Sequence, residues 1–201
     1  MIGILVAQQL PLVRLGLVAS LDGEADLKVV ADLDTGDDVV SAVLRHEPDA
    51  AIIGLDLPGA DGFSTALRLH ERVPSCRVLI LSRQPTPGQV RRAFAVHALG
   101  LMSLEVGAQE VAEGVRRVAA GRRAVDSDLA VAALGPEETL LTPRELDVLR
   151  LAARGARSDE IAEELFLSVG TVRNHLSRIM CKTRARNRLD AVRIAGEAGW
   201  L

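Results

Sequence analysis

Apolar residues in the first part of the chain come in short unbroken runs: Ile2–Ala7, Leu27–Ala31, Ala50–Leu55 and Val78–Leu81, with a weaker one at Leu99–Met102. Runs this short and continuous suit parallel strands buried on both faces. Between them the spacing turns helical. Val39 and Val43, like Val40 and Leu44, repeat at i+4. Phe63, Ala66 and Leu67 follow i, i+3, i+4, as do Val90, Ala93 and Phe94, and Val111, Val115 and Val118 close the series. Five strand–helix units predict an α/β fold: a doubly wound five-stranded parallel sheet with helices on both faces, over residues 1–120. Ligands of such sheets bind beyond the carboxyl ends of the strands. Those ends fall at Ala7–Gln9, Gly54–Asp56, Ser82 and Met102–Leu104.

Residues 121–138 read as a linker with room for one short helix, between Gly121-Arg-Arg and Gly135-Pro-Glu-Glu. From there helix starts follow one another. Thr142-Pro-Arg-Glu145 is a capping box with Pro at the first helical position. Ser158 precedes Asp159 and Glu160, Ser168 is placed to cap the next helix, and Asn187 with Asp190 the last. Gly155 is placed to end the first. Residues 139–201 are therefore expected to form an all-α four-helix domain containing a helix-turn-helix.

Residues 169–182 carry the most pointed chemistry. At about 100° per residue, Val172, Leu176 and Ile179 form one stripe that must face a core. The opposite side shows Arg173, Asn174, Ser177, Arg178 and Cys181, with His175 at its edge. Arg grips guanine and Asn adenine with paired hydrogen bonds. Thr171 and the amides near Ser168 suit a phosphate at the helix N-terminus. Lys182, Arg184, Arg186 and Arg188 continue the positive charge. Ordinary exposed polar residues on a solvated helix would look the same by geometry alone.

Charge is unevenly distributed. The chain carries a net −3, but residues 139–201 hold 11 basic and 8 acidic residues, against 13 and 19 in residues 1–138. Residues 173–193 hold seven basic residues and one acid, Asp190. A basic stretch in an acidic chain suggests a local polyanion site, but on charge alone a solvated helix face is the better account of it. No apolar run approaches the ~20 residues that span a bilayer, and the N-terminus lacks signal-peptide features, so a cytoplasmic location without membrane contact is expected. Cys76 and Cys181 make neither a disulfide framework nor a zinc site. No cofactor, metal or enzymatic activity is expected. Glu145 reads as a cap, His97 as a packing residue continuing the stripe of Val90, Ala93 and Phe94, and Trp200 as a C-terminal anchor.

Both halves resemble one family. Leu141-Thr-Pro-Arg-Glu-Leu-Asp-Val-Leu149, Ile161-Ala, Leu165, Leu167-Ser168, Thr171-Val-Arg-Asn-His175 and Ile179 closely match the LuxR-type helix-turn-helix. Pro48-Asp49, Leu57-Pro58-Gly59 with Asp61-Gly62, Leu81-Ser82 and Val118-Ala-Ala-Gly121 resemble the receiver domain of NarL/FixJ-type response regulators. The resemblance implies a DNA-binding transcription regulator of double-stranded DNA, a homodimer on an inverted repeat. Its last helix would supply part of the dimer contact through Leu189, Val192 and Ala195.

A receiver of that family phosphorylates an aspartate, holds Mg²⁺ with two acids, and meets the phosphoryl charge with a lysine. Here the acid pair is Gln8-Gln9, the nucleophile position Gly54, the lysine position Leu104 and the aromatic switch position Leu101; only Ser82 remains. Two neutral amides are poor Mg²⁺ ligands. Gly54 has nothing to phosphorylate, and Asp56 fits the turn Asp56-Leu-Pro-Gly59 better than a nucleophile's role. Gln8, Gln9, Gly54, Ser82 and Leu104 are therefore expected to form a degenerate phosphorylation pocket or a small-ligand site. The expectation is a regulator controlled without phosphorylation, by a fixed dimer, a partner protein or a small molecule. The alternatives are a conventional phosphorylation-dependent two-component regulator and an adaptor with a vestigial helix-turn-helix.

Overall fold

The computed structural model describes residues 1–134 and 139–201. They form two compact units, Met1–Leu134 and the remainder of the chain. In the first unit the apolar runs become β1 (Ile2–Ala7), β2 (Leu27–Leu33), β3 (Ala50–Gly54), β4 (Arg77–Ser82) and β5 (Gly100–Ser103). They alternate with α1 (Pro11–Asp22), α2 (Val39–His46), α3 (Gly62–Arg72), α4 (Pro87–Ala95) and α5 (Ala108–Ala119). Every strand pair is parallel. Alternate residues feed two cores: Leu5, Ile53, Ile80 and Leu101 on one face, Ile4, Val6, Ile52 and Leu79 on the other. That two-sided burial is why the strands read as continuous apolar runs.

The expected five strands are six, in the order β2-β1-β3-β4-β5-β6. The sixth, β6 (Ala124–Val125), pairs with Gly100 and Leu101 of β5. Gly121, at φ +73°, turns the chain out of α5 and back along the sheet edge. Asp126 then accepts the backbone N–H groups of Asp128 and Leu129, opening α6 (Ser127–Leu134). Leu129 and Ala133 pack onto the core that α4 covers. Most of the expected linker, up to Leu134, thus belongs to the first unit; its last four residues, 135–138, lie outside the described residues.

One residue of this unit departs from the sequence reading, and one helix is sparingly buried. His97 falls beyond the end of α4, at φ +62°, and is exposed instead of packed; its ring stacks on His70 with centroids 3.7 Å apart. In α1 only Leu21 is buried, while Leu12 and Leu15 are 85% and 62% exposed.

The second unit comprises α7 (Pro143–Ala153), α8 (Ser158–Glu164), α9 (Val169–Thr183) and α10 (Arg188–Glu197). Thr142 and Glu145 form the expected capping box, Ser168 accepts the Thr171 amide, and Asn187 accepts that of Asp190. Gly155, at φ +88°, follows the end of α7. Ser158 does not cap α8. It is the first helical residue, and Glu160 instead reaches back to the Arg157 amide at 2.6 Å. Leu149, Ile161, Val172, Ile179 and Ala195 build the core, and Trp200 packs against it.

Candidate nucleic-acid interface

Val172, Leu176 and Ile179 of α9 are buried at 0%, 8% and 0% exposure. Their inward stripe fixes the opposite face. Arg173, Asn174, Ser177, Arg178 and Cys181 are all exposed there. Among the described residues no ion pair engages Arg173 or Arg178, so both guanidinium groups are available to an incoming polyanion. Thr171 is half-buried, and its hydroxyl lies 2.9 Å from that of Ser168, within the cap. His175 is half-buried too, and its Nδ1 is shielded from solvent without a hydrogen-bond partner among the described residues.

The basic stretch is smaller than the sequence suggests. Lys182 Nζ lies 2.6 Å from Oε2 of Glu145, which is 3% exposed. Burial pushes the Glu145 carboxyl up; hydrogen bonds from Lys182 and the Thr142 amide outweigh it and hold the carboxyl below its ordinary range. Arg188 donates to the carbonyls of Ala152 and Ala156 and so ties α10 to the end of α7. Arg186 and Arg193 flank Asp190, which hydrogen bonds from the Arg186 amide and the Arg193 side chain hold down at about 2. Of the cations beyond the α9 face, Arg184 alone among the described residues is exposed without an ion pair.

The expected dimer stripe on α10 is split. Leu189 is 76% exposed, Val192 is half-buried against the domain's own core, and Ala195 is fully buried within it. Ala191 and Ala195 set the inward side of the helix, and that rotation takes Ala195 away from any partner.

At the strand ends of the first unit, Gln8 is 4% exposed. A Cβ at Gly54 would meet its Nε2 at 2.9 Å and its Oε1 at 3.0 Å. The backbone of Gln8 is fixed from both sides: its N–H donates to Leu33 O, and its carbonyl accepts Arg14 Nη1 at 2.7 Å. Gln9 is half-buried. The Ser82 hydroxyl is buried and donates to Gln89 Oε1 at 3.4 Å. Leu104 packs on the core beneath α5, and its amide donates to Ser82 O. Leu101 is fully buried. Asp56 is exposed in the turn after β3. Gln89 and Arg14 were not singled out from the sequence; the capping-box spacing Thr86-Pro-Gly-Gln89 is the signal for the first, and none marks the second.

Among the described residues, no helix is long and apolar enough to cross a membrane, and no group of three His, Cys, Asp or Glu is placed to hold a metal.

Residues 4–116 match the response regulator receiver domain, and residues 139–195 match the luxR family of bacterial regulatory proteins. The chain is 40% identical over 201 residues to the response regulator RamR of Streptomyces coelicolor, covering 100% of this chain and 98% of that one. It is 34% identical to the transcriptional regulatory protein DesR of Bacillus subtilis, covering 100% and 99%. Its fold is similar to that of RcsB from Salmonella enterica serovar Typhimurium bound to the promoter rprA, with TM-score 0.69, 20% identity, and 98% and 99% of the two chains covered. With a receiver-type sheet ahead of a LuxR-type helix-turn-helix, and relatives along the whole chain that are a response regulator and a transcriptional regulatory protein, the chain belongs to the LuxR family of DNA-binding transcriptional response regulators.

Proposed function

We propose that the chain reads a specific inverted repeat as a homodimer through the outward face of α9, and that its receiver-like unit governs this without phosphoryl transfer. Arg173 and Asn174 are the base-reading pair, with Ser177 beside them. Arg178 and Arg184 contact phosphates, as do Thr171 and the first-turn amides of α9. Two-fold DNA mirrors a two-fold protein.

The observation that carries the second half is the carboxamide of Gln8 packed over Gly54. Phosphoryl transfer to an aspartate needs a carboxylate where residue 54 has no side chain. It needs anionic oxygens for Mg²⁺ where Gln8 and Gln9 are neutral, and a cation where Leu104 is apolar. Ser82 spends its hydroxyl on Gln89. A conventional phospho-switch would have to use Asp56, two residues beyond Gly54 and exposed in the turn.

The test treats the full chain with acetyl phosphate and Mg²⁺, then measures acid-labile phosphate and DNA affinity with and without beryllofluoride. No incorporation and an unchanged affinity are expected. Stoichiometric phosphate, or an affinity that rises with beryllofluoride, would overturn this reading. Footprinting on selected DNA should show two protected half-sites.

A further inference from the structure

Residues 1–138 carry 19 acidic and 13 basic residues, yet three arginines of that segment converge on one cavity. It has a volume of about 420 Å³ and lies between α4 and α6, beside the edge strand β6. Arg91, Arg117 and Arg123 line it together with Phe94, Val125 and Ala133. Among the described residues none of the three arginines is in an ion pair. The Arg123 guanidinium sits over the Phe94 ring, 4.4 Å from its centroid, which fixes a charge at the cavity wall. Arg91 reaches Ala133 O through Nη1 at a long 3.4 Å, and its Nε is shielded from solvent with no acceptor among the described residues. A shielded guanidinium N–H without an acceptor is costly, which favours an acceptor oxygen beside Arg91.

We infer that this cavity binds an anionic amphiphile: a carboxylate or phosphate monoester held by the arginines, with an apolar body lying against Phe94, Val125 and Ala133. Guanidinium groups offer paired donors to such oxyanions. The volume lies in the range of small-molecule sites, and the mixture of an apolar wall with a few convergent charges is the usual make-up of one. Charge changes sign next door. Arg117 also borders a cavity of about 290 Å³ whose rim carries Glu110 and Glu113. A cationic head group is therefore repelled on the α4 side. α6, which forms one wall, is the last helix of the first unit before the sequence runs on toward the DNA-binding unit. None of its lining residues belongs to the α9 face or to the strand ends at Gln8 and Gly54, so it does not rest on the function proposed above.

The test titrates the full chain with octyl phosphate and with octanoate, below their micellar concentrations, by calorimetry and by thermal shift. Saturable one-to-one binding of at least one of them is expected, and comparison of the two names the preferred head group. Octanol, octyltrimethylammonium and inorganic phosphate should each bind about tenfold more weakly or worse, because each lacks one half of the recognition. In the Arg117→Gln, Arg123→Gln double variant, both exposed positions, affinity should fall about tenfold or more, while the melting of the free protein should fall only slightly, through loss of the Arg123–Phe94 contact. Ala130→Trp, on the α6 wall, should block binding of either probe. No saturable binding, equal binding of the ammonium compound, or an affinity indifferent to the double variant would overturn the inference.

Discussion

The carboxamide of Gln8 lies over the α-carbon of Gly54, so close that a Cβ there would meet Gln8 Nε2 at 2.9 Å. The two residues are complementary: a side chain at one position takes the room of the other. Gln8 is 4% exposed and Gly54 is buried at the end of β3, so displacing the amide means repacking.

A double-mutant cycle reads that relationship. Gly54→Ala should destabilise the first unit by about 1 kcal/mol, at the low end for overpacking, because only the end of a flexible side chain must move. In a Gln8→Ala background the same change should be neutral or stabilising, since alanine restricts the unfolded chain more than glycine. Urea denaturation gives the coupling, expected near 1 kcal/mol. An equal cost of Gly54→Ala in both backgrounds would show that Gln8 is not what fills the space.

Lys182 is the second place where a side chain has a task other than the one its sequence suggests. Its ion pair with Glu145 joins the end of α9 to the start of α7. Lys182→Ala leaves a nearly buried carboxylate with the Thr142 amide and no cation, at a cost of about 1–3 kcal/mol. Glu145 has a lowered pKa in the folded protein, so its stabilisation is complete above the ordinary glutamate value of 4.5 and is lost as pH falls through the lowered folded value. Lys182→Ala should shrink that acid-side loss. Trp200, the single tryptophan, packs on this core and makes its fluorescence a reporter of unfolding. Equal stability of variant and wild type at neutral pH would refute the structural role.

The strands were legible because burial on both faces leaves an unbroken apolar run, and the helix caps because they are short-range side-chain chemistry. The face of α9 followed from one apolar stripe. What the sequence hid was decided by tertiary packing. β6 has only two residues and becomes a strand because Gly121 turns the chain onto the edge of β5. Lys182, Arg186 and Arg188 look like free cations until their partners Glu145, Asp190 and the carbonyls of Ala152 and Ala156 are brought to them from elsewhere in the fold or the turn. Ala195 and Leu189 differ by six positions on one helix, and only the packing of that helix says which side is the inner one.

On DNA, Arg173→Ala should cost about 1–3 kcal/mol and relax the preference at one base pair per half-site, as loss of a bidentate base contact does. Arg178→Ala should weaken all sequences alike and flatten the salt dependence by about one unit. Lys182→Ala should leave that slope nearly unchanged, because its charge is already met by Glu145. Affinity measured over a salt series on the selected site and on a scrambled one separates the three. An Arg173→Ala variant with wild-type affinity and preference would mean that the base-reading face is assigned wrongly.

The homodimer proposed above should depend on α1 more than on the small residues of α10. Ala195 is spent inside its own domain, and of the expected stripe only Leu189 is well exposed. On α1, Leu12 and Leu15 are largely exposed one turn apart, and Gly16 beside them has nothing within 4 Å of where a Cβ would lie, so a second helix can approach closely. Replacing both leucines by aspartate removes that apolar patch and sets like charges against each other across a two-fold axis. The variant should sediment as a monomer, bind a single half-site as wild type does, and lose affinity for the full inverted repeat. The loss should be about tenfold or more, because the second half-site no longer binds at the effective concentration that a linked partner supplies. Ala195→Ser, buried in the helical core, should lower stability of that unit without changing oligomeric state. If the Leu12→Asp, Leu15→Asp protein still protects both half-sites at the wild-type concentration, the contact lies elsewhere on the chain.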